Sequence, residues 1–228
     1  MKQVYFITDF FYDDFSLGGA ELADHEVIKG LEKAGVSVGK INTRFFTPSL
    51  LEHLGYDQFF IVSNFMQLRK STMAAMVRHS VNYVIYEHDH KYLMHRNPTH
   101  YVDYKAPKHH LMNVDFYNQA QVVYCQSKLH EKCITTNLPD AQVINLGASL
   151  WDDDFYELVS SLNFSQKNGR AAILQSPVDH KGQKEAVHFC QQRNIPYDLI
   201  QGENPTDLIT KLSRYTALVF LPILAETF

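Results

Sequence analysis

A glycine pair opens the first helix that the sequence predicts. Residues 18–21 read Gly-Gly-Ala-Glu, after a short apolar strand at 4–8 and at the start of a helical pattern at 20–33. Glycine has no Cβ, so the backbone can pass close to a ligand, and the free amides of a first helical turn favour an anion. The pattern indicates an anion site, although a tight turn without a ligand explains the four residues equally well.

Ionisable residues follow the fourth predicted strand. The run Glu-His-Asp-His occupies positions 87–90, directly after the strand at 81–86. His88 could exchange a proton near neutral pH or orient a hydroxyl of a substrate, with Asp89 as its neighbour. A His-x-His pair also suggests zinc, but no cysteine pair or helical His-x-x-x-His accompanies it. We therefore expect no metal, and the alternative for positions 88–110 is a solvated histidine-rich loop.

Two further candidates lie near the end of the sequence. Lys181 stands just before a helical pattern at 182–192, where a lysine and the helix amides can both contact a phosphate. An exposed surface lysine is the alternative. Glu226 lies in a loop after a predicted strand at 217–221. Its carboxylate could accept hydrogen bonds from ribose or sugar hydroxyls, or it could be a solvated charge.

The elements that must position these residues alternate between strand and helix. This alternation predicts βαβ units, and the mostly apolar strands predict a parallel sheet with helices on both faces. The predicted strands are 4–8, 36–41, 58–63, 81–86, 121–125 and 142–144, and the predicted helices are 20–33, 48–54, 71–79, 114–119 and 128–136.

A polar and aromatic stretch interrupts this pattern, and a second α/β pattern follows. We predict a first domain at 1–150, a linker at 151–169 and a second domain at 170–228. Ligands of open parallel sheets bind beyond the carboxyl ends of the strands, so two facing sheets would line a cleft. The later predicted strands are 171–174, 197–200 and 217–221, and the later predicted helices are 182–192 and 205–214.

The composition is that of a soluble globular protein. The chain has 228 residues, of which 45% are hydrophobic and 20% charged, and its net charge is −4. This balance argues against a nucleic-acid binder that relies on a broad basic face. Three cysteines do not suggest a disulfide framework, and no apolar run is long enough for a membrane span. We expect a cytoplasmic protein, and peripheral association with a membrane stays open.

Six short motifs resemble those of glycosyltransferases of the GT-B fold, most closely the retaining enzymes of family 4. Their order and spacing along nearly the whole chain carry the resemblance, since each motif alone is weak. The motifs are Gly18-Gly19-Ala20-Glu21, His88-Asp89, Val123–Ser127, Val143–Ala148, Lys181-Gly182 and Pro222–Phe228.

The resemblance implies an α/β protein with two Rossmann-like parallel-sheet domains that face a cleft, the second of them incomplete. It implies transfer of a sugar from a nucleotide-diphosphate sugar to an acceptor with retention at the anomeric carbon. The nucleotide sugar would be a co-substrate, with no cofactor and no metal. The implied residues are His88 and Glu226 for catalysis, Gly18, Gly19 and Lys181 for the donor diphosphate, and Asp9 and Glu21 on the acceptor side.

The sequence departs from the family pattern in two places. Gln175-Ser176-Pro177 stands where the family has an arginine, and the second glutamate of the two-glutamate motif would fall beyond Phe228. We therefore expect a fragment of a longer protein with impaired activity. Its incomplete second domain would expose apolar surface that could drive self-association.

Several alternatives stay open. The acceptor could be a saccharide, a lipid-linked sugar, a protein or a small molecule, and we do not expect a nucleic acid. A nucleotide-sugar epimerase or a phosphorylase could use the same fold. A non-catalytic α/β module that binds a ligand is a further alternative. A dinucleotide-dependent oxidoreductase is disfavoured because no G-x-G-x-x-G follows the first strand.

Overall fold

The computed structural model describes residues 3–12 and 18–223. The described chain divides into two compact units, one extending to Leu150 and the other beginning at Trp151. Each unit contains one parallel β-sheet covered by helices. The predicted α/β class with two parallel sheets is therefore confirmed. No helix in the described ranges is long and apolar enough to cross a membrane.

Within its described residues, the first unit contains six parallel strands in the order β2-β1-β3-β4-β5-β6. The chain adds β2 on one side of β1 and then β3 on the other side, so the strand order reverses at β1. Open α/β sheets bind ligands in the crevice at such a switch point. The strands are β1 Val4–Thr8, β2 Val38–Asn42, β3 Phe59–Val62, β4 Asn82–Tyr86, β5 Val123–Cys125 and β6 Val143–Asn145. The helices are α1 Gly19–Lys33, α2 Pro48–Leu54, α3 Lys70–Arg78, α4 Val114–Gln119 and α5 Lys128–Asn137.

A row of aliphatic side chains fixes the register of the central strands. Ile7, Val62, Ile85 and Val123 are paired across β1, β3, β4 and β5, and all four are fully buried. Burying a side chain of this size stabilises a fold by about 1.5–3 kcal/mol. Because this row holds the strand ends level, the polar residues that follow the strands come together at one edge.

The described part of the second unit contains three parallel strands in the order β8-β7-β9. Its strands are β7 Ala171–Leu174, β8 Tyr197–Ile200 and β9 Ala217–Leu218, and its helices are α6 Asp153–Ser161, α7 Gln183–Gln192 and α8 Pro205–Leu212. The segment 151–169, which we predicted to be a linker, contains α6, and this helix packs against α8. Asp152 caps α6, because its Oδ1 accepts a hydrogen bond of 2.9 Å from the Phe155 amide.

Candidate functional site

Four buried polar residues meet at the carboxyl edge of the first sheet. Thr8 ends β1, Ser63 follows β3 and His88 follows β4, and these three strands are neighbours in the sheet. Asp24 reaches the same point from the second turn of α1, and its side chain is only 2% exposed. The edge predicted to hold the site therefore brings His88 into contact with a carboxylate.

The carboxylate of Asp24 accepts hydrogen bonds from all three strand-end residues. Thr8 Oγ1 donates to Asp24 Oδ2 at 3.0 Å, and Ser63 Oγ donates to Oδ1 at 2.5 Å. His88 Nε2 lies 3.0 Å from the same Oδ1. An ionised carboxylate only accepts, so this pairing assigns the proton to Nε2 of His88. A buried charge requires partners of this kind, because burying it without them costs a large free energy.

Aromatic packing and the main chain hold the His88 ring from other directions. The ring of Tyr86 lies edge-on to that of His88, with 4.4 Å between the ring centroids. The hydroxyl of Tyr86 accepts a hydrogen bond of 3.0 Å from Gln126 Nε2. Burial raises the pKa of Tyr86, and the charge of Asp24 adds to this effect. The His88 amide donates to Glu87 Oε1 at 3.1 Å. His88 is therefore held through both its ring and its backbone.

The sequence predicted His88 but missed the other members of this cluster. Thr8 and Ser63 occupy strand-end positions, which is a weak signal because most such residues only cap loops. The sequence contains a clearer signal for Asp24, because this residue lies on the same face of the helix as Ile28 and Glu21. A carboxylate on the apolar face of a helix must find buried partners when the helix packs on a sheet.

The two glycines before α1 differ in their surroundings. Gly18 is the N-cap of α1, and the carboxylate of Glu21 occupies the space that a Cβ on Gly18 would need. The space beside Gly19 is open, since no heavy atom of the described chain comes within 4 Å of a Cβ built there. An anion approaching this helix start would therefore meet Gly19 first. The anion would also lie near the negative charge of Glu21.

Asp9, predicted on the acceptor side, is engaged by its own chain. Its Oδ2 accepts a hydrogen bond of 2.8 Å from the Met66 amide, and its Oδ1 accepts one of 3.0 Å from the Gln67 amide. The hydroxyl of Thr43 also donates to Oδ1. Asp9 is buried and ties the loops after β2 and β3 to the end of β1. The structure thus gives Asp9 a loop-fixing role beside the predicted site.

Glu87 fixes the start of the histidine-rich segment. Its Oε1 accepts hydrogen bonds from the Asp89 amide at 2.9 Å and from Lys91 Nζ at 3.1 Å. Its Oε2 accepts one from the hydroxyl of Tyr117. Burial acts to raise the pKa of Glu87, but the Lys91 ammonium and these hydrogen bonds keep this pKa well below its ordinary value. Glu87 is therefore a buried anion that orders the backbone around His88.

The beginning of the histidine-rich segment is buried rather than solvated. His88 and His90 are both buried, whereas His95, His100 and His109 are exposed. The His90 ring packs edge-on against His130 of α5, with 4.6 Å between centroids. Burial lowers the pKa of His90 to about 4 and that of His130 to about 3. Within the described residues, no group of three or more histidine, cysteine, aspartate or glutamate side chains could hold a metal ion.

In the second unit, the turn at Gly182, which follows β7, lies against the segment that follows β9. Lys181 ends a short 3₁₀ turn after β7, and Gly182 follows it with a φ of 69°. A Cβ on Gly182 would collide with the carbonyl oxygen of Leu221, just beyond β9. The backbone that leads toward Glu226 therefore passes against the Lys181 turn. Glu226 itself lies outside the described residues.

The segment that lacks the expected arginine is held by α7. The amide of Ser176 donates a hydrogen bond of 2.8 Å to Oε1 of Gln183, the first residue of α7. Lys184, one residue further along, pairs with Asp179 at 2.9 Å, and both of these side chains are largely exposed. The loop after β7 is thus ordered without a guanidinium group.

Comparisons with known proteins reveal the fold. No protein-family model matches the chain, and no curated protein matches it. A solved α-glucosyltransferase, in complex with UDP and a 13-mer DNA containing an HMU base, matches with a TM-score of 0.51 at 14% identity. The match covers 84% of this chain and 54% of the glucosyltransferase, so the chain spans about half of that protein's length. The chain has the GT-B fold.

Two further matches are weaker. One is an α-glucosyltransferase with UDP and a 13-mer DNA containing a central A:G mismatch, at a TM-score of 0.47 and 14% identity, covering 83% of this chain and 51% of that one. The other is apo UGT2 of Phytolacca americana, at a TM-score of 0.42 and 9% identity, covering 90% of this chain and 64% of that one. Likeness at these levels adds nothing to the fold assignment, and the roles of individual residues stay predictions.

Proposed function

We propose that this protein transfers a sugar from a nucleotide-diphosphate sugar to an acceptor. The observation that carries this proposal is the position of His88 in a chain with the GT-B fold. His88 belongs to a buried polar cluster whose other members include Thr8 and Ser63, on the two strands that flank the switch point. The UDP bound to the similar glucosyltransferase supports a nucleotide diphosphate as the leaving group.

Each predicted residue has a distinct role in this proposal. The leaving diphosphate gains negative charge in the transition state, and the Gly19 amide and the Lys181 ammonium stabilise it. His88 contacts a hydroxyl of the donor sugar, and Glu226 lies near the transferred sugar. Glu21 borders the acceptor, and Asp9 fixes the loops beside it. The transfer proceeds with retention, and the nucleotide sugar is a co-substrate with no resident cofactor.

Binding of the donor is the first test. Isothermal titration calorimetry against a panel of UDP-, GDP- and ADP-sugars should reveal one donor that binds. Lys181→Ala should weaken its affinity about tenfold, which corresponds to about 1.4 kcal/mol. Arg193→Ala, which removes a positive charge from an exposed position at the opposite end of α7, should leave the affinity unchanged. If no nucleotide sugar or nucleoside diphosphate binds to the folded protein, the proposal is wrong.

A second pair of variants tests the helix start. Gly19→Val and Gly30→Val both place a valine at an open position of α1. Neither valine should disrupt the fold, because a Cβ built at either position meets no packed neighbour among the described residues. Only Gly19→Val should weaken nucleotide binding, since its side chain would stand between the backbone amides and a phosphate. Equal affinities in both variants would remove Gly19 from the donor site.

The acceptor and the reaction type need a turnover assay. The bound donor should be consumed only when an acceptor is present, and the panel should include saccharides, lipid-linked sugars, proteins and DNA with hydroxymethylated bases. NMR of the product's anomeric proton would then test retention. Donor conversion without an acceptor would favour an epimerase. Binding without any turnover would favour a non-catalytic module, the alternative suggested by the missing arginine at 175–177.

A further inference from the structure

We propose that Asp24 is a positioning residue that fixes the tautomer and orientation of His88 for sugar transfer. This inference rests on the proposed function of His88 as a contact to the donor sugar. Asp24 acts through the imidazole ring, because its buried carboxylate touches the ring at Nε2.

The convergence of three strands on one carboxylate supports a positioning role. Each of the two carboxylate oxygens receives a hydroxyl hydrogen bond, from Thr8 at 3.0 Å and from Ser63 at 2.5 Å. These two donors come from fully buried residues at the ends of paired strands, so they set the plane of the carboxylate. The third hydrogen bond, from His88 Nε2, is therefore made to an acceptor that cannot rotate freely.

The charge of Asp24 also determines which nitrogen of His88 carries the proton. With Nε2 donating to the carboxylate, Nδ1 is the accepting nitrogen of the neutral ring. A ring held in this tautomer can accept a proton or a hydrogen bond from a hydroxyl group only at Nδ1. The edge-on ring of Tyr86 limits rotation about the Cβ–Cγ bond of His88, so the tautomer and the ring direction are set together.

Asp24 could instead serve only to stabilise α1 on the sheet. A structural role and a role through His88 predict different effects of Asp24 substitutions on activity when His88 is replaced. A carboxylate that acts only through the fold would affect activity in every background. A carboxylate that acts through His88 would lose its effect on activity once the imidazole is replaced.

Nitrogen-15 NMR of the histidine rings tests the assignment without any donor. His88→Gln identifies the His88 signals, and the wild-type ring should be protonated at Nε2. Asp24→Leu, which removes the acceptor, should mix the two tautomers, and Asp24→Asn should restore Nε2–H because its amide oxygen can accept. Glu32→Leu, at an exposed carboxylate of the same helix, should leave the ring signals unchanged. A wild-type ring protonated at Nδ1 alone would overturn the inference.

A double-mutant cycle then tests the link to transfer. Asp24→Leu should lower kcat about tenfold or more, Asp24→Asn should recover most of the loss, and the donor KM should change much less. In the His88→Gln background, Asp24→Leu should cause no further loss. A wild-type protein without transferase activity but with the Nε2–H ring would refute the proposed function and leave the Asp24–His88 assignment standing. An active protein in which the Asp24→Leu loss persists without His88 would refute the positioning role.

Discussion

Buried carboxylates at the carboxyl edge of the first sheet have two kinds of partner. Asp9 and Glu87 accept hydrogen bonds mainly from backbone amides and so fix the loops that follow β1 to β4. Among the described residues, the partners of Asp24 are all side chains, and one of these is an imidazole. A carboxylate that holds amides orders a loop, whereas one that holds an imidazole also sets a tautomer. This difference is why we assign the positioning role to Asp24 rather than to Asp9 or Glu87.

The buried imidazoles of His90 and His130 should make stability depend on pH. Their folded pKa values, about 4 and about 3, lie below the ordinary value of 6.5 because burial disfavours the charged ring. The unfolded chain therefore binds protons first as the pH falls. The stability contributed by each neutral ring is present above pH 6.5 and is lost as the pH falls from there toward the folded pKa.

Urea unfolding at pH 7.5 and pH 5 measures this effect. The free energy of unfolding of the first unit, which contains both rings, should fall by about 1–2 kcal/mol for each buried imidazole between these pH values. His130→Leu should reduce the loss by one such increment. His53→Leu, at an exposed imidazole, should leave the loss unchanged. An unaltered pH dependence in His130→Leu would show that this ring does not stay neutral in the folded protein.

The sequence indicated some residues of this edge and not others, for physical reasons. Gly19 begins a helix after a strand, and His88 follows a strand end, and at both kinds of position local pattern alone suggests ligand contact. The helical pattern indicates that Asp24 needs buried partners, but it cannot identify Thr8 and Ser63, because the sheet order that brings them to Asp24 depends on long-range pairing. The family resemblance placed Asp9 on the acceptor side. Its bonds to the loop at 66–67 could not be read from local sequence.

At the scale of elements, the strand and helix ends follow the sequence pattern closely. Most predicted ends lie within two residues of the observed ones, because apolar runs and capping residues are local signals. The helix α6 was missed because its acidic start resembled a solvated linker. In the structure, Asp152 caps this helix, and the carboxylates of Asp153 and Asp154 lie in its first turn, where the helix dipole favours negative charge.

The turn between β7 and α7 should be more sensitive to substitution than another glycine turn of the same unit. Gly182 has a φ of 69° and Gly169 a φ of 73°, so an alanine at either position adopts an unfavourable backbone conformation. At Gly169 a Cβ meets open space, whereas at Gly182 it would collide with the backbone of Leu221. Gly182→Ala must therefore displace the segment that follows β9, whereas Gly169→Ala need not.

Thermal unfolding of the two alanine variants compares these costs. Gly169→Ala should reduce the free energy of unfolding by about 1 kcal/mol, through the left-handed backbone alone. Gly182→Ala should reduce it by about 2–4 kcal/mol, because the packed backbone must also move. If the two variants unfold alike, then the segment after β9 does not pack tightly on the Lys181 turn.

At the scale of the whole chain, the two units differ greatly in their apolar cores. The first unit buries a large cluster that includes Phe46, Phe60, Tyr83 and Tyr117. Among the described residues of the second unit, the buried apolar cluster consists of small or medium side chains, Ala171, Ile173, Ala186 and Cys190. Burial of apolar area is the main favourable term in folding, so the first unit should be the more stable. The fold class was predictable from the alternation of elements, but this imbalance depends on which side chains the packing buries.

The only tryptophan of the chain can report on the second unit alone. Trp151 lies at the start of that unit and stacks on Phe155 of α6, with 4.0 Å between the ring centroids. Tryptophan fluorescence should therefore change at a lower urea concentration than the far-UV circular dichroism, which is dominated by the first unit. Phe155→Leu should move the fluorescence transition to still lower urea and leave the main dichroism transition in place. Independent units of unequal stability cannot give identical unfolding curves. Coincident fluorescence and dichroism transitions in the wild-type protein would therefore show that the two units unfold cooperatively.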